Sequence, residues 1–295
     1  MRSSFYRTNT NQKSCCRIEN IYSQMSASTY GLGMDQDDMM NKDMLIAVNS
    51  KDLIIPNAYV SKRKAHEFSS DQPRGIAHRA FSVFLFNSDN KMLLTRRANT
   101  KITFPGVWTN TCCSHPLHGQ EPSEVDDVNV AYPNFPGIKN AAIRKLNHEL
   151  GIVADDVPHE NFRFLTRFHY WASDTVTYGE DSPWGEHEID YVLFIKCEEE
   201  PTVNANEEEV GEYKYVSLIE LKDMMYNDNT LLWSPWFRGI MEQGGFKLWE
   251  NIDEALKVDS SLINKDIVYF DPPVEHRAAY NLPEHGNDTG VLELP

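Results

Sequence analysis

Short apolar runs separated by polar turns occupy much of the chain, and their lengths predict a protein rich in β-strands. The runs at 44–48 (MLIAV) and 53–55 (LII) predict two short strands. The run 80–86 is followed by Ser-Asp-Asn and by a second run at 92–95, which predicts a β-hairpin. Three further runs have the aromatic and branched content of strands: 162–171, 187–196 and 214–216.

One segment has helical periodicity instead. Between 137 and 152, Ala142, Leu146 and Leu150 recur at four-residue steps, and Gly151 is a typical C-terminal stop. The segment is therefore predicted to form a helix.

Two later segments are also predicted to be helical. Ser217 and Glu220 form a capping-box pattern at the start of the first, which continues to Met225. The second covers 235–256, with the Gly244-Gly245 pair as a kink. Strands and helices are mixed without strand–helix–strand alternation, so the pattern predicts an α+β fold, a mixed sheet with flanking helices.

The two ends of the chain differ from its centre. Residues 1–40 are polar and are predicted to be disordered or to act as a targeting segment. Basic residues without acidic neighbours near the start are typical of mitochondrial or plastid transit peptides. A folded domain is expected over 41–257, followed by a C-terminal extension of unknown role over 258–295.

Charge and composition narrow the function classes. The chain has 295 residues and a formal net charge of −16, which argues against binding nucleic acid through a general basic surface. No apolar run reaches the length of about eighteen residues that a membrane span requires. Five cysteines without framework spacing indicate a reducing compartment, so a cytoplasmic location is predicted unless the N-terminus directs the chain to an organelle.

The stretch WTNTCCSHP (108–116) places two cysteines side by side next to a histidine. A disulfide between Cys112 and Cys113 is disfavoured because adjacent cysteines strain the connecting peptide. A metal site and a catalytic nucleophile or base both remain open for this stretch.

A row of acidic residues opens the run WGEHEIDYVLFIK (184–196). On a strand, Glu186, Glu188 and Asp190 project from one face, which becomes apolar further along. This arrangement suits carboxylates at the mouth of a buried pocket, although a solvated edge strand has the same pattern. With three histidines, Glu186 and Glu188 would make an N₃O₂ set for a divalent metal, but spacing alone does not show that the five meet. The histidines of that set are His66, His78 and His115.

Basic residues form two islands in this acidic chain: 62–64 (KRK), and Arg96, Arg97 and Lys101. They are either solvated turns or a clamp for a phosphate or diphosphate.

The segment RKLNHELGI (144–152) matches part of the Nudix helix pattern. Lys145 and His148 stand where that pattern has glutamates that hold magnesium for hydrolysis. Their replacement argues against a hydrolase.

Taken together, FPGVWTNTCCSHP, WGEHEIDY, HRAFSVFLFN and SPWF resemble type 1 isopentenyl-diphosphate delta-isomerase, from about Met44 to Glu254. The resemblance implies a Nudix-like mixed β-sheet sandwich with flanking helices. It also implies isomerisation of isopentenyl diphosphate to dimethylallyl diphosphate through a tertiary carbocation. The expected partner is a small prenyl diphosphate, and a monomer is expected.

The resemblance also implies roles for individual residues. Catalysis would fall to Cys113, Glu188 and Tyr170, with Cys112 facing the other way as packing. Cys113 is expected to have thiolate character, favoured by nearby cations. The residues implied in substrate binding are Lys62, Arg97, Lys101, Ser114 and Trp236. The residues implied in metal binding are His66, His78, His115, Glu186 and Glu188 for Zn²⁺, Mn²⁺ or Mg²⁺, and Glu149 for the Mg²⁺ that accompanies the diphosphate.

Three other functions compete with this interpretation. A Nudix diphosphate hydrolase would explain the fold and the metal but not Cys113. A zinc module would use Cys112, Cys113, His115 and His118, although adjacent cysteines are poor ligands for one tetrahedral ion. A cysteine hydrolase would need a base against the thiol and an oxyanion hole, and neither is visible in the sequence.

Overall fold

The computed structural model describes residues 30, 31, 33–272 and 274–276. The α-helices are α1 (Gln36–Lys42), α2 (Lys62–His66), α3 (Val128–Ala131), α4 (Pro136–Leu150), α5 (Thr175–Tyr178), α6 (Leu218–Asn227), α7 (Pro235–Ile240), α8 (Phe246–Glu250) and α9 (Ile252–Ala255). The strands are β1 (Met44–Val48), β2 (Ile54–Ser61), β3 (His78–Phe86), β4 (Met92–Arg97), β5 (Trp108–Thr109), β6 (Cys112–Ser114), β7 (Arg163–Ser173), β8 (Gly185–Lys196), β9 (Val210–Val216) and β10 (Ile267–Tyr269).

The described strands form one mixed sheet in which β3 and β8 are central. Its main path is β10-β7-β8-β3-β1-β2. Strands β3 and β8 are parallel to each other, whereas β7 is antiparallel to β8. On its other side, β3 pairs successively with β1, β6 and β4. This branching brings β6, with its two cysteines, beside the centre of the sheet.

The sheet separates two apolar cores, because alternate residues of β3 and β8 face opposite sides. Phe81, Val83 and Leu85 pack with Tyr191 and Leu193 against α4. The other face carries Phe84, Phe86, Val192 and Phe194 and packs against α7, α8 and α9. The expected mixed sheet with flanking helices is thereby confirmed.

Helix α4 confirms the predicted periodicity with a shift of its bounds. Pro136 occupies the first turn, where its missing N–H costs nothing. Ala142, Leu146 and Leu150 are fully buried. Gly151 ends the helix at φ +65°, a left-handed conformation that glycine adopts readily, and its N–H donates to the Asn147 carbonyl at 2.9 Å.

The other helix predictions are also supported. Ser217 and Glu220 form both hydrogen bonds of the capping box at the start of α6. The helical stretch from 235 is interrupted by a π-helical turn, Met241–Gly245, and the kink lies at Gln243 and Gly244, where φ of Gly244 is +134°. Among the described residues, no helix is long and apolar enough to cross a membrane.

Three elements differ from the sequence-based expectation. Helix α1 lies partly within the segment 1–40, and its Met39 and Met40 are buried, so disorder is wrong for residues 36–40. Residues 1–29 lie outside the described part of the chain, and the assignment of a targeting segment there stays a prediction. Helix α3 and strand β10 were not predicted; β10 lies within the C-terminal extension and pairs with β7 in parallel.

Candidate functional site

A small cavity opens beside the first residues of β8 and the end of β6. It is lined by most of the residues that the sequence singled out, together with Thr103 and Lys145. The predicted residues in its lining are Lys62, Arg97, Lys101, Cys113, Ser114, His115, Glu149, Tyr170, Glu186, Glu188 and Trp236.

Strand register explains why these side chains meet. Glu188 pairs with His78 of β3 on one side and with Tyr170 of β7 on the other. Cys113 of β6 pairs with Ser82, four residues further along β3 from His78. The sheet therefore holds the carboxylate, the phenol and the thiol on neighbouring strands, so that all three reach one cavity.

Five predicted metal ligands converge behind this cavity. One ligand atom from each lies within 4.8 Å of every other, and all five side chains are buried. The set is His66, His78, His115, Glu186 and Glu188. Glu149 is not part of this cluster; it pairs with Lys145, with 3.0 Å between Oε1 and Nζ.

The histidine rings of this cluster are oriented by backbone carbonyls. His66 Nδ1 donates to the Lys62 carbonyl, and His78 Nδ1 to the Ile76 carbonyl, both at 2.7 Å. Each Nε2 therefore keeps its lone pair and points into the cluster. Burial lowers the pKa of His78 to about 3, so its ring is neutral, as a metal ligand must be.

The donor atoms suit a divalent cation. His66 Nε2 lies 2.6 Å from Glu186 Oε2. Neither of these atoms, nor His78 Nε2, has a hydrogen-bond partner in the described part of the chain. Lone pairs that face one another in a buried place require a positive charge between them. The cluster could therefore bind a divalent metal.

The two glutamates have opposite electrostatic environments. Burial opposes ionisation of Glu186, but the adjacent histidines hold its pKa at about 2. Glu188 is different, because burial and the charges of Glu186 and Asp190 raise its pKa well above the ordinary value. Burial and these neighbouring charges therefore favour the protonated form of Glu188.

Glu188 has two strong hydrogen-bond partners. Tyr170 donates its hydroxyl to Oε2 at 2.5 Å, and His115 Nε2 lies 2.8 Å from Oε1. Burial raises the pKa of Tyr170 well above its ordinary value, so the phenol stays protonated and acts as a donor. These contacts fix the carboxyl group at the cavity wall.

Cys112 and Cys113 point to opposite sides of the sheet, as expected. Cys112 is buried in the core against α4 and donates to Glu149 Oε2 at 3.4 Å. Cys113 faces the cavity, and its sulfur lies 3.9 Å from Thr109 Oγ1.

Burial opposes the thiolate character that Cys113 needs in order to act as a base. Burial raises the pKa of its thiol to about 12, and the charge of Arg97 opposes this only in part. Nearby cations are present, as the sequence suggested, but desolvation is the larger effect.

Basic side chains line the same cavity as the thiol and the two glutamates. Burial and the charge of Lys101 lower the pKa of Lys62 to about 8. Arg97 donates to the carbonyls of Phe104 at 2.9 Å and Thr103 at 2.7 Å. Its guanidinium lies 5.5 Å from the centre of the Trp236 ring. This concentration of positive charge suits an anionic group.

Two residues of the cavity, and one residue that supports it, were not identified from the sequence. Thr103 donates to Glu186 Oε1 at 3.1 Å. Lys145 was noted as a lost glutamate but not as a cation in the cavity. Glu209 lies in the turn before β9, three residues after Asn206. It forms a buried ion pair with Lys101, with 2.5 Å between Oε2 and Nζ. No local motif marks these residues; Lys145 alone was detectable, as a charge reversal in the Nudix pattern.

The zinc module proposed from Cys112, Cys113, His115 and His118 is not assembled. The cysteines face opposite sides, and the His118 ring stacks on Tyr59 with centroids 3.6 Å apart. Among the described residues, the group that could hold a metal contains His115 but none of the other three.

Comparisons with known proteins agree with this geometry. A NUDIX domain model matches residues 130–237. An isopentenyl-diphosphate delta-isomerase of Schizosaccharomyces pombe is 41% identical over 244 residues, which cover 82% of this chain and 99% of that protein. The chain belongs to the isopentenyl-diphosphate delta-isomerase family.

Two other relatives of this isomerase family differ in coverage. An isopentenyl-diphosphate delta-isomerase of Candida albicans is 52% identical, over 61% of this chain and 64% of that protein. An isopentenyl-diphosphate delta-isomerase II of Arabidopsis thaliana, described as chloroplastic, is 42% identical over 79% of this chain and 78% of that protein. The isomerase family is thus favoured over the Nudix hydrolase alternative, in agreement with Lys145 and His148 on α4.

Proposed function

We propose that this protein isomerises isopentenyl diphosphate to dimethylallyl diphosphate, with Glu188 and Cys113 as the groups that exchange protons with the substrate. One observation carries the proposal: the Cys113 thiol and the Glu188 carboxyl line one cavity that also has basic side chains.

The diphosphate is held at the basic side of the cavity. Lys62, Arg97 and Lys101 supply positive charge, and Ser114 supplies a hydroxyl. Glu149, which also lines the cavity, is the expected ligand of the Mg²⁺ that neutralises the diphosphate. A local cluster of this kind lets a protein of net charge −16 bind an anion.

The hydrocarbon part then lies between Glu188 and Cys113. Glu188 gives its proton to the terminal alkene carbon, the π electrons form the new C–H bond, and a tertiary carbocation results. The Cys113 thiolate removes the allylic proton, and the electrons of that C–H bond form the new double bond. Because the thiol is protonated at rest, it loses its own proton to solvent before this step.

Two aromatic residues support these proton transfers. Tyr170 donates to the Glu188 carboxyl at 2.5 Å, which orients that group and stabilises the carboxylate it leaves behind. Trp236 donates its indole N–H to Thr109 Oγ1 at 3.0 Å, which fixes its ring at the cavity wall. The face of that ring stabilises the carbocation electrostatically.

His66, His78, His115, Glu186 and Glu188 would hold a divalent cation, Zn²⁺, Mn²⁺ or Mg²⁺. A bound cation supplies a fixed positive charge that lowers the pKa of Glu188 and so eases release of its proton.

Turnover in D₂O tests the proposed function. Purified protein with Mg²⁺ is incubated with isopentenyl diphosphate, and products are followed by NMR. Formation of dimethylallyl diphosphate with deuterium in a methyl group is the expected result. Release of inorganic phosphate or diphosphate without the allylic isomer would instead indicate a hydrolase and overturn the proposal.

Two properties of the whole chain, its oligomeric state and its location, complete the proposal. A monomer is expected, and a sedimentation measurement tests it. The cytoplasm is the expected location. Organellar import by the basic residues Arg2, Arg7, Lys13 and Arg17 is the alternative, and the chloroplastic relative is consistent with it. Fluorescent fusions with and without residues 1–29 distinguish the two locations.

A further inference from the structure

The segment after α9 packs directly behind the cavity. Strand β10 extends the sheet by pairing with β7, with Val268 opposite Phe168 and Tyr269 opposite His169. This places the next residue, Phe270, level with Tyr170, and only 6% of Phe270 is exposed. The family model ends at residue 237 and does not include this segment.

Phe270 contacts the ring of Tyr170. The two rings are parallel, with an interplanar angle of 1° and 5.3 Å between centroids, which is an offset stack. Phe270 also meets Phe168 edge to face at 5.8 Å. Tyr170 also neighbours Trp236, with centroids 6.4 Å apart. The Tyr170 ring therefore packs with both Phe270 and the cavity residue Trp236.

Phe270 also contacts the helix that carries Trp236. A Cβ added to Gly239 of α7 would lie 2.2 Å from the Phe270 ring. Glycine is therefore needed at this position for the ring to approach the helix so closely. The Phe270 side chain therefore sets the distance between β7 and α7, and with it the distance between Tyr170 and Trp236.

The chain beyond Phe270 is anchored as well. The ring centroids of His276 and Phe104 are 5.8 Å apart. Phe104 in turn meets Trp236 edge to face, with 5.4 Å between centroids. Thr175 donates its hydroxyl to the Glu275 carbonyl, and Arg238 of α7 lies 3.6 Å from the Glu275 carboxylate. These contacts hold the segment against the aromatic wall of the cavity on both sides of Phe270.

We propose that Phe270 is a positioning residue for the isomerisation, which it supports by holding the Tyr170 hydroxyl against Glu188. This inference rests on the proposed function. A hydroxyl that donates at 2.5 Å tolerates little displacement of its ring. The ring is locked by packing, and Phe270 supplies one face of that packing.

Steady-state kinetics of a double-mutant cycle test the proposal. The variants are Phe270→Ala, Tyr170→Phe and the double variant, each measured with isopentenyl diphosphate. Tyr170→Phe keeps the stacked ring and removes only the hydroxyl. We expect Phe270→Ala to lower kcat by about ten-fold or more, because small displacements at a reacting centre are costly. KM should change by less than about two-fold, since the basic side chains themselves are unchanged.

In the Tyr170→Phe background, we expect Phe270→Ala to change kcat by less than about three-fold, since the hydroxyl that it positions is gone. The matched control is Val268→Ala, which removes apolar volume from the same strand and the same core. It should keep kcat close to that of the wild type. Phe270→Leu keeps most of the volume and should restore part of the kcat; it also replaces Phe270→Ala in the cycle if that variant does not fold.

The outcomes separate the two levels of the hypothesis. A wild-type protein that does not isomerise the substrate overturns the proposed function and this inference with it. An active wild type whose kcat is unaffected by Phe270→Ala overturns this inference alone. An equal loss of kcat in the presence and absence of the Tyr170 hydroxyl also overturns it, because Phe270 would then act as general structural support.

Discussion

Replacement of the Cys113 thiol gives the most direct prediction for the chemistry. Cys113→Ala removes one polarisable atom from the cavity wall, and Cys112 on the opposite side of the sheet stays in place. General acid–base groups typically contribute about 10²- to 10⁴-fold to the rate, which is about 3–5 kcal/mol of the activation barrier. We therefore expect kcat to fall by at least about 10²-fold, with KM little changed because the basic residues are untouched.

The raised pKa of Cys113 adds a pH dependence to this prediction. Folding raises the pKa of this thiol from 9.0 to about 12, so the native state keeps the proton at pH values where the unfolded chain has lost it. The contribution of the thiol to stability is therefore complete below the pKa of the unfolded chain and is lost as the pH rises towards the pKa of the folded protein. At about pH 10, one unit above the unfolded value, the wild type should have lost about 1.4 kcal/mol that Cys113→Ala keeps. Urea titrations of both proteins at neutral and alkaline pH measure this difference.

Two assays complete the test of Cys113. Alkylation by iodoacetamide should be slow at neutral pH and should accelerate as the pH rises, because the thiolate is the reactive form. Circular dichroism of Cys113→Ala should match that of the wild type. A variant that retains wild-type turnover would refute the role of the thiol, and a thiol half-titrated near neutral pH would refute the effect of burial.

Three further predictions concern the residues around the thiol. Chelation of divalent metal should abolish turnover, and added Zn²⁺, Mn²⁺ or Mg²⁺ should restore it; full activity in protein shown by elemental analysis to be metal-free would contradict the cluster's role. Cys112→Ala should fold, lose about 1 kcal/mol of unfolding free energy and keep most activity, whereas loss of the fold would favour a structural zinc site. Glu209→Gln should lower the free energy of unfolding by about 3–5 kcal/mol, because it breaks a buried ion pair. It should also raise KM, because Lys101 is no longer held in place. Glu208→Gln, at the exposed neighbouring position, should have neither effect, and equal effects of the two variants would argue against a role for the ion pair.

The strands and the row of acidic residues on β8 could be predicted, because both follow from the alternation of side chains along a strand. Glu186, Glu188 and Asp190 had to share a face if the segment was a strand, and β8 places them so. The three histidines come from α2, from the start of β3 and from the residue after β6, so only the family resemblance could place them in one set. No spacing in the sequence encodes that convergence.

Other features depended on packing that the sequence does not show. Helix α1 has little apolar periodicity and is recognisable only through the burial of Met39 and Met40. Strand β10 has only three residues in a polar tail, and it pairs in parallel with a strand about a hundred residues earlier. The pKa of Cys113 was expected to fall because cations were visible in the sequence, whereas the burial that raises it was not.

The backbone carbonyls behind His66 and His78 have a consequence for how a cation enters the cluster. Each carbonyl accepts the ring proton on the far side, so the inward nitrogen presents a lone pair whether or not an ion is bound. Burial holds the pKa of His78 at about 3 and that of His115 well below its ordinary value. Metal uptake therefore displaces no protons from the rings of His78 and His115. A mildly acidic solution does not protonate these rings, so protons do not compete with the ion for them.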